Sequence, residues 1–150
     1  MSEPRLIRLD ADDTIRALDR IPLLEGCSAR DLRDIADRSE LVAFDDGAEI
    51  VREGEVGSTF YLIVSGRVAV TRAGTEIARL QAGDFFGEES LLEWTPRSAS
   101  VHAAGPAVCL SLPRTDFRAI LVRNPRLALR ILEEEARRVQ SRDTISPAPE

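Results

Sequence analysis

The sequence predicts an α+β protein that is mainly β, an antiparallel β-roll of the jelly-roll barrel type with flanking N-terminal and C-terminal helices. Three observations predict it. From Leu41 onward, short apolar runs alternate with a period of two. Glycine-bearing turns divide those runs about every eight to twelve residues, a spacing that suits an antiparallel roll. Helix-start signals bracket the block, with a capping-box pattern at Ser28 and an Asn-Pro pair at Asn124-Pro125.

Composition bounds the rest. A chain of 150 residues fits one domain with a real core. Apolar residues at 43% and charged residues at 31% are ordinary for a globular protein. A formal charge of −6 argues against a nucleic-acid partner, which needs a basic patch. The start, MSEPRLIRLDADD, is charged, so no secretory signal is expected. Apolar runs are too short to span a bilayer, and neither membrane insertion nor a compartment other than the cytoplasm is expected. Cys27 and Cys109 stand in different segments without metal-type spacing, and are expected as reduced, structural thiols.

Residues 1–12 read as a polar N-terminal extension, 13–142 as one domain and 143–150 as a disordered, Pro-rich tail. Asp13 to Ile21 reads as a helix with Ile15, Leu18 and Ile21 on its apolar side, stopped by Pro22. Ser28-Ala29-Arg30-Asp31 opens a second helix that carries Leu32, Ile35 and Ala36 on one face. Strands follow at Leu41–Phe44, Glu49–Arg52, Thr59–Val64, Arg67–Thr71 and Glu76–Leu80. Asp45-Asp46-Gly47, Ser65-Gly66 and Ala73-Gly74 supply turns between them, and each turn glycine, with Gly54 and Gly57, is expected at positive φ. Val101–Ala104 and Ala107–Leu112 would close the roll across Gly105-Pro106. Arg114–Arg123 reads as a helix with Phe117, Ile120 and Leu121 on one side. A last helix, Arg126 to about Arg142, begins after Asn124 as cap and Pro125 at its first position.

The chemistry concentrates in Gly83–Val101, GDFFGEESLLEWTPRSASV. A Gly-led turn running into Glu88-Glu89-Ser90-Leu91-Leu92, a short helical turn, aims several backbone N–H groups at one point, which suits an anion. Arg97 returns after Thr95-Pro96 and can add a bidentate fork to a phosphate. Glu88 would repel a phosphate and is better placed to accept hydrogen bonds from sugar hydroxyls. One Arg and one Glu in this arrangement describe a nucleotide site with a single phosphate. The plain alternatives are a surface Arg and a carboxylate favoured by a helix N-terminus.

Phe86-Gly87-Glu88, then Ser90, Leu91 and Arg97-Ser98-Ala99 at this spacing, resemble the phosphate-binding cassette of the cyclic nucleotide-binding domain family. Gly47, Gly54, Gly57 and Gly66 and the Tyr61-x-Ile63 strand resemble its turn glycines and a strand of its roll, and Ile21-Pro22-Leu23-Leu24 resembles the stretch before its helix. The resemblance covers about residues 21 to 140. It implies a sensor that binds cAMP or cGMP as ligand, without a cofactor, and signals by movement of its last helix. It implies that Arg97 holds the phosphate and Glu88 the ribose 2′-hydroxyl. Gly87 and Ser90 would contribute close approach and N–H donation. Ser98 is compatible with either nucleotide. Glu89 departs from the family's usual aliphatic residue. By position, Arg79 and Leu80 would face the purine. Arg138, Arg142 and Asp143 would reach it from the last helix, and Trp94 would serve either as a stacking lid or as packing on the domain.

Leu129, Leu132, Ala136 and Val139 recur at heptad-like steps. They make either an amphipathic helix packed on its own roll or the homodimer seam implied by likeness to the bacterial cAMP receptor branch of the family. No helix-turn-helix follows them here, so a transcription factor is not expected. The effector stays open. A docking module on the same fold that binds no nucleotide, and a fragment of a larger receptor, channel or kinase, are the alternatives. An enzyme is not expected, because a single histidine, His102, can build neither a multi-His metal site nor a nucleophilic triad.

Overall fold

In this computed structural model, residues 3–91 and 96–145 are described, with the side chains of 90, 91 and 139–145 outside that description. Strand β4 (Thr59–Ser65) is buried on both faces, which is why its sequence is an almost continuous apolar run. Phe60 and Leu62 belong to the core under the helices, while Ile63 and Tyr61 pack into the interior of the roll.

Two antiparallel sheets make that interior. One has the order β1 (Arg5–Ile7), β2 (Glu40–Phe44), β9 (Ala107–Pro113), β4 and β7 (Phe85–Phe86). The other has the order β3 (Glu49–Val51), β8 (Ser100–Ala103), β5 (Arg67–Arg72) and β6 (Thr75–Gln81). The two sheets, each with free edges, make an open antiparallel roll flanked by helices, as the sequence predicts. Phe44, Val51, Ile63, Val68 and Cys109 fill the space between the sheets. Burial pushes the Cys109 thiol up to about 12, and both cysteines are free thiols.

The second core lies between the five-stranded sheet and the helices. Phe60 stacks on Phe117 at 4.0 Å between centroids and meets Phe85 at 5.7 Å. Leu18, Leu32, Ile35 and Ile131 close around them, each burial worth about 1.5–3 kcal/mol before entropy is counted.

Local chemistry sets the helix bounds. Helix α1 (Ala11–Asp19) begins two residues before the expected start, because the Asp10 carboxylate accepts from Asp13 N at 2.8 Å and caps it. It also stops short of Ile21, which is extended (φ −88°, ψ 119°) ahead of Pro22. Helix α2 (Ala29–Arg38) has the full capping box, with Asp31 N donating to Ser28 Oγ at 3.1 Å and Ser28 N donating to Asp31 Oδ2 at 2.9 Å. Helix α3 (Arg114–Arg123) matches its expected span. Helix α4 (Pro125–Ile145) starts under an Asn124 cap, whose Oδ1 accepts from Leu127 N at 3.2 Å.

Two boundaries are corrected. Residues 5–7, expected within a polar extension, pair as β1 with β2 in the register Arg5↔Ala43 to Ile7↔Leu41. An Arg5–Asp45 ion pair at 3.0 Å fastens that edge. Residues 143–145, expected in the tail, continue α4, while 146–150 lie outside the described residues. Among the described residues, no helix is long and apolar enough to cross a membrane.

Candidate functional site

The chain leaves β7 at Phe86, whose ring stacks on Tyr61 at 5.0 Å. Gly87 then turns at φ +85°, and a Cβ there would run into the Thr59 carbonyl oxygen. Only glycine meets both demands, so the backbone passes directly into the short 3-10 turn Glu88–Leu91. Beyond residues 92–95, the chain returns at Pro96, which bridges to Val56.

Arg97 is held from every side. Its N–H donates to Glu55 O at 2.8 Å, and its carbonyl accepts from Gly54 N at 2.9 Å. Its side chain is 5% exposed, and Nη2 donates to Thr59 O at 2.8 Å. Nη1 is buried without a hydrogen-bond partner, and no carboxylate among the described residues lies within ion-pair distance of the guanidinium. Gly57 explains the close fit. It does not sit at positive φ as expected; instead, a Cβ at 57 would overlap the Arg97 guanidinium itself.

Arg97 lines a cavity of about 360 Å³. Apolar walls come from Val70, Leu80, Phe86 and Val101, and α4 closes one side with Glu135 and Arg138. Glu88 stands against that side, 21% exposed, with Arg138 Nη1 3.9 Å from it and from Glu135. Burial, then its hydrogen bond to Glu135 and repulsion by it, push Glu88 up to about 8, against the pull of Arg138. As carboxylates the two exchange no hydrogen bond; a proton on Glu88 creates one. Arg138 also donates from Nη2 to Phe85 O at 2.7 Å and lies 4.2 Å over the Phe85 ring.

The cavity brings together the expected Phe86, Gly87, Glu88, Glu89 and Arg97, then Ser98 and Ala99, with Leu80 and Arg138 opposite. Arg79 lies apart from them. It is exposed, paired with Glu76 at 2.9 Å, and does not line the cavity, because strand alternation turns it away from Leu80. Ser90 lies in the 3-10 turn, with its side chain outside the described residues. Arg142 and Asp143 lie on α4, their side chains likewise outside, and Trp94 is outside altogether. His102 is on β8, half-exposed and 3.4 Å from Glu49.

Sequence reading missed Arg72, Ile77, Ala78 and Glu135. Ile77 and Ala78 both reach the wall because β6 has an extra residue there, with Val70 opposite Ala78 and Thr71 opposite Glu76. No pattern of two announces such a bulge. Glu135 was hidden in the run Glu133-Glu134-Glu135, where only three-dimensional packing tells one carboxylate from its neighbours.

Residues 41–124 match the family model described as the cyclic nucleotide-binding domain. The chain is 36% identical over 118 residues to isozyme 1 of the cGMP-dependent protein kinase of Drosophila melanogaster, covering 73% of this chain and 15% of the kinase. It is 36% identical over 108 residues to a cAMP-dependent protein kinase regulatory subunit of Mucor circinelloides, covering 69% of this chain and 25% of that subunit. The regulatory domain of Toxoplasma gondii PKA, solved with cAMP, superposes with a TM-score of 0.74 at 30% identity, over 85% of this chain and 50% of that one. This chain thus spans a quarter or less of the two kinase-system relatives.

Proposed function

The chain belongs to the cyclic nucleotide-binding domain family, and from that premise we propose that it is a sensor of cAMP or cGMP. The observation that carries the proposal is Arg97, a buried cation on the lining of the cavity with one donor nitrogen unpartnered. An uncompensated buried charge costs several kcal/mol, on the order of 3–5, so a fold that keeps one has a use for an anion there. A cyclic phosphodiester carries a single negative charge and matches a single guanidinium.

The rest of the cavity completes the ligand. Glu88 accepts from the ribose 2′-hydroxyl, and the apolar wall at Ile77 and Leu80 takes the purine. Helix α4 is the signalling element, since Glu135 and Arg138 on it touch the Glu88 wall that the sugar would claim. A nucleotide that takes over Glu88 removes one of the contacts that keep α4 on the roll.

One observation supports a second copy as partner. Leu127 and Ile131 are buried in the core, while Leu129 and Leu132 on the other face of α4 are 57% and 66% exposed. We propose that this face is the seam of a homodimer. The effector would be supplied in trans or by a larger receptor, channel or kinase of which this domain is a piece, as the share of the kinase-system relatives that it spans suggests. Calorimetric titration with cAMP and cGMP tests the sensor. Saturable one-to-one binding of either supports it, and heatless titration up to millimolar concentrations of both turns the reading to a docking module that binds no nucleotide.

A further inference from the structure

Both backbone polar groups of Ser98 are bound by charged side chains from different elements. Its N–H donates to Glu89 Oε2 at 3.2 Å, and its carbonyl accepts from Arg72 Nε at 3.0 Å. Arg72, Glu89, Arg97 and Ser98 all line the same cavity. One residue before Ser98, Arg97 Nη1 is buried and without a partner. A carboxylate therefore sits on a backbone donor beside the cation proposed to receive the phosphate.

We propose that Glu89 is a resident anion, which competes with the phosphate of an incoming cyclic nucleotide for the Ser98 amide and so sets the affinity of the site downward. The inference rests on the nucleotide reading of the cavity and adds to it an affinity-determining residue. A single N–H cannot serve two anions at full strength, and two anions at contact distance of one donor repel. For the phosphate to take this donor, the carboxylate must leave it. Glu89 is half-buried at the start of the 3-10 turn, so solvent is open to it. In the ligand-free state its presence satisfies the Ser98 donor. Occupation by phosphate then gains only the difference between two anions.

The test is calorimetry with cAMP and cGMP on the wild-type chain, Glu89→Gln and Glu89→Ala. Gln keeps an acceptor oxygen for Ser98 and removes the charge, whereas Ala removes both. Both variants are expected to bind roughly threefold to tenfold more tightly, Ala at least as tightly as Gln, as follows from deleting one charge-assisted hydrogen bond on the competing side. In the ligand-free proteins, the Ser98 amide is expected to shift and to exchange faster with solvent in Glu89→Ala, by nitrogen-15 NMR. Variants that bind no tighter than a wild type that does bind would overturn this inference alone, and would show that Glu89 pre-organises the cassette instead. A Ser98 amide indifferent to Glu89→Ala would overturn it as well. Absence of binding in all three proteins would overturn the nucleotide reading along with it.

Discussion

Glu88 of the cassette turn and Glu135 of α4 meet as two carboxyl groups at the wall of the cavity, with Arg138 Nη1 3.9 Å from each. A pair of like charges at this depth is tolerated because Glu88 holds a proton that an exposed glutamate would have lost. The contact joins the wall proposed to face the ribose to the helix proposed to signal.

The pair makes ligand-free stability depend on pH in a definite direction. The Glu88 carboxyl is raised from 4.5 to about 8, so between those values the folded chain binds a proton that the unfolded chain releases. The contribution of this group is therefore fully present below about pH 4.5 and is lost as pH rises toward about 8. Melting temperatures from pH 5 to 8 should fall more steeply for wild type than for Glu135→Gln, in which the like charge is gone. Parallel curves would exclude the pair as their cause.

The proposed sugar contact has its own signature. Glu88→Gln should weaken cAMP by roughly tenfold, while the affinity for 2′-deoxy-cAMP changes little, since the deoxy ligand never offers that hydroxyl. Equal losses for both ligands would mean that Glu88 acts through the fold.

Gly57 offers a test of geometry without touching a charged group. Its φ is ordinary for any residue, so Gly57→Ala is not strained by its backbone, but the new methyl would displace the Arg97 guanidinium. Nucleotide affinity should fall by tenfold or more with a modest change in melting temperature. Gly47→Ala is the control: its Cβ meets open space at φ +83°, so it should lower stability by about 1 kcal/mol and leave binding alone.

The α4 seam is tested by mass. Wild type should sediment as a dimer at micromolar concentration, and Leu132→Glu, which places a carboxylate in a desolvated seam, should give monomers with an unchanged melting temperature per chain. A monomeric wild type at 100 micromolar, with and without nucleotide, would remove the homodimer.

Much of this architecture is legible in the sequence. The capping box at Ser28, the Asn124-Pro125 start and the alternation around Ser65-Gly66 are local devices, and each appears in its place. The cassette was legible because Gly87, Glu88 and Arg97 keep a fixed spacing, and the structure gathers them on one cavity. What escaped depends on contacts distant in sequence. Edge strand β1 forms only because β2 offers a free side to a short Arg5-Leu6-Ile7 stretch. Arg79 stands outside the cavity because neighbours on a strand take opposite faces, and which of the two faces the interior is set by the pairing of β6 with β5. Gly57 was read as a turn glycine, when its requirement is space for a side chain forty positions away, counting from 57 to 97.

The central claim is that Arg97 receives a cyclic phosphate, and replacing it tests that claim most directly. Arg97→Leu exchanges a buried, partly unpartnered cation for an apolar side chain, so the fold should remain, with a melting temperature equal to wild type or above it. The phosphate would lose its fixed cation, a loss of about 2–5 kcal/mol, or roughly 30-fold or more in affinity. Calorimetric titration of cAMP and cGMP into folded Arg97→Leu should therefore show binding abolished or weakened by at least that factor. Wild-type affinity in the folded Leu variant would contradict the account.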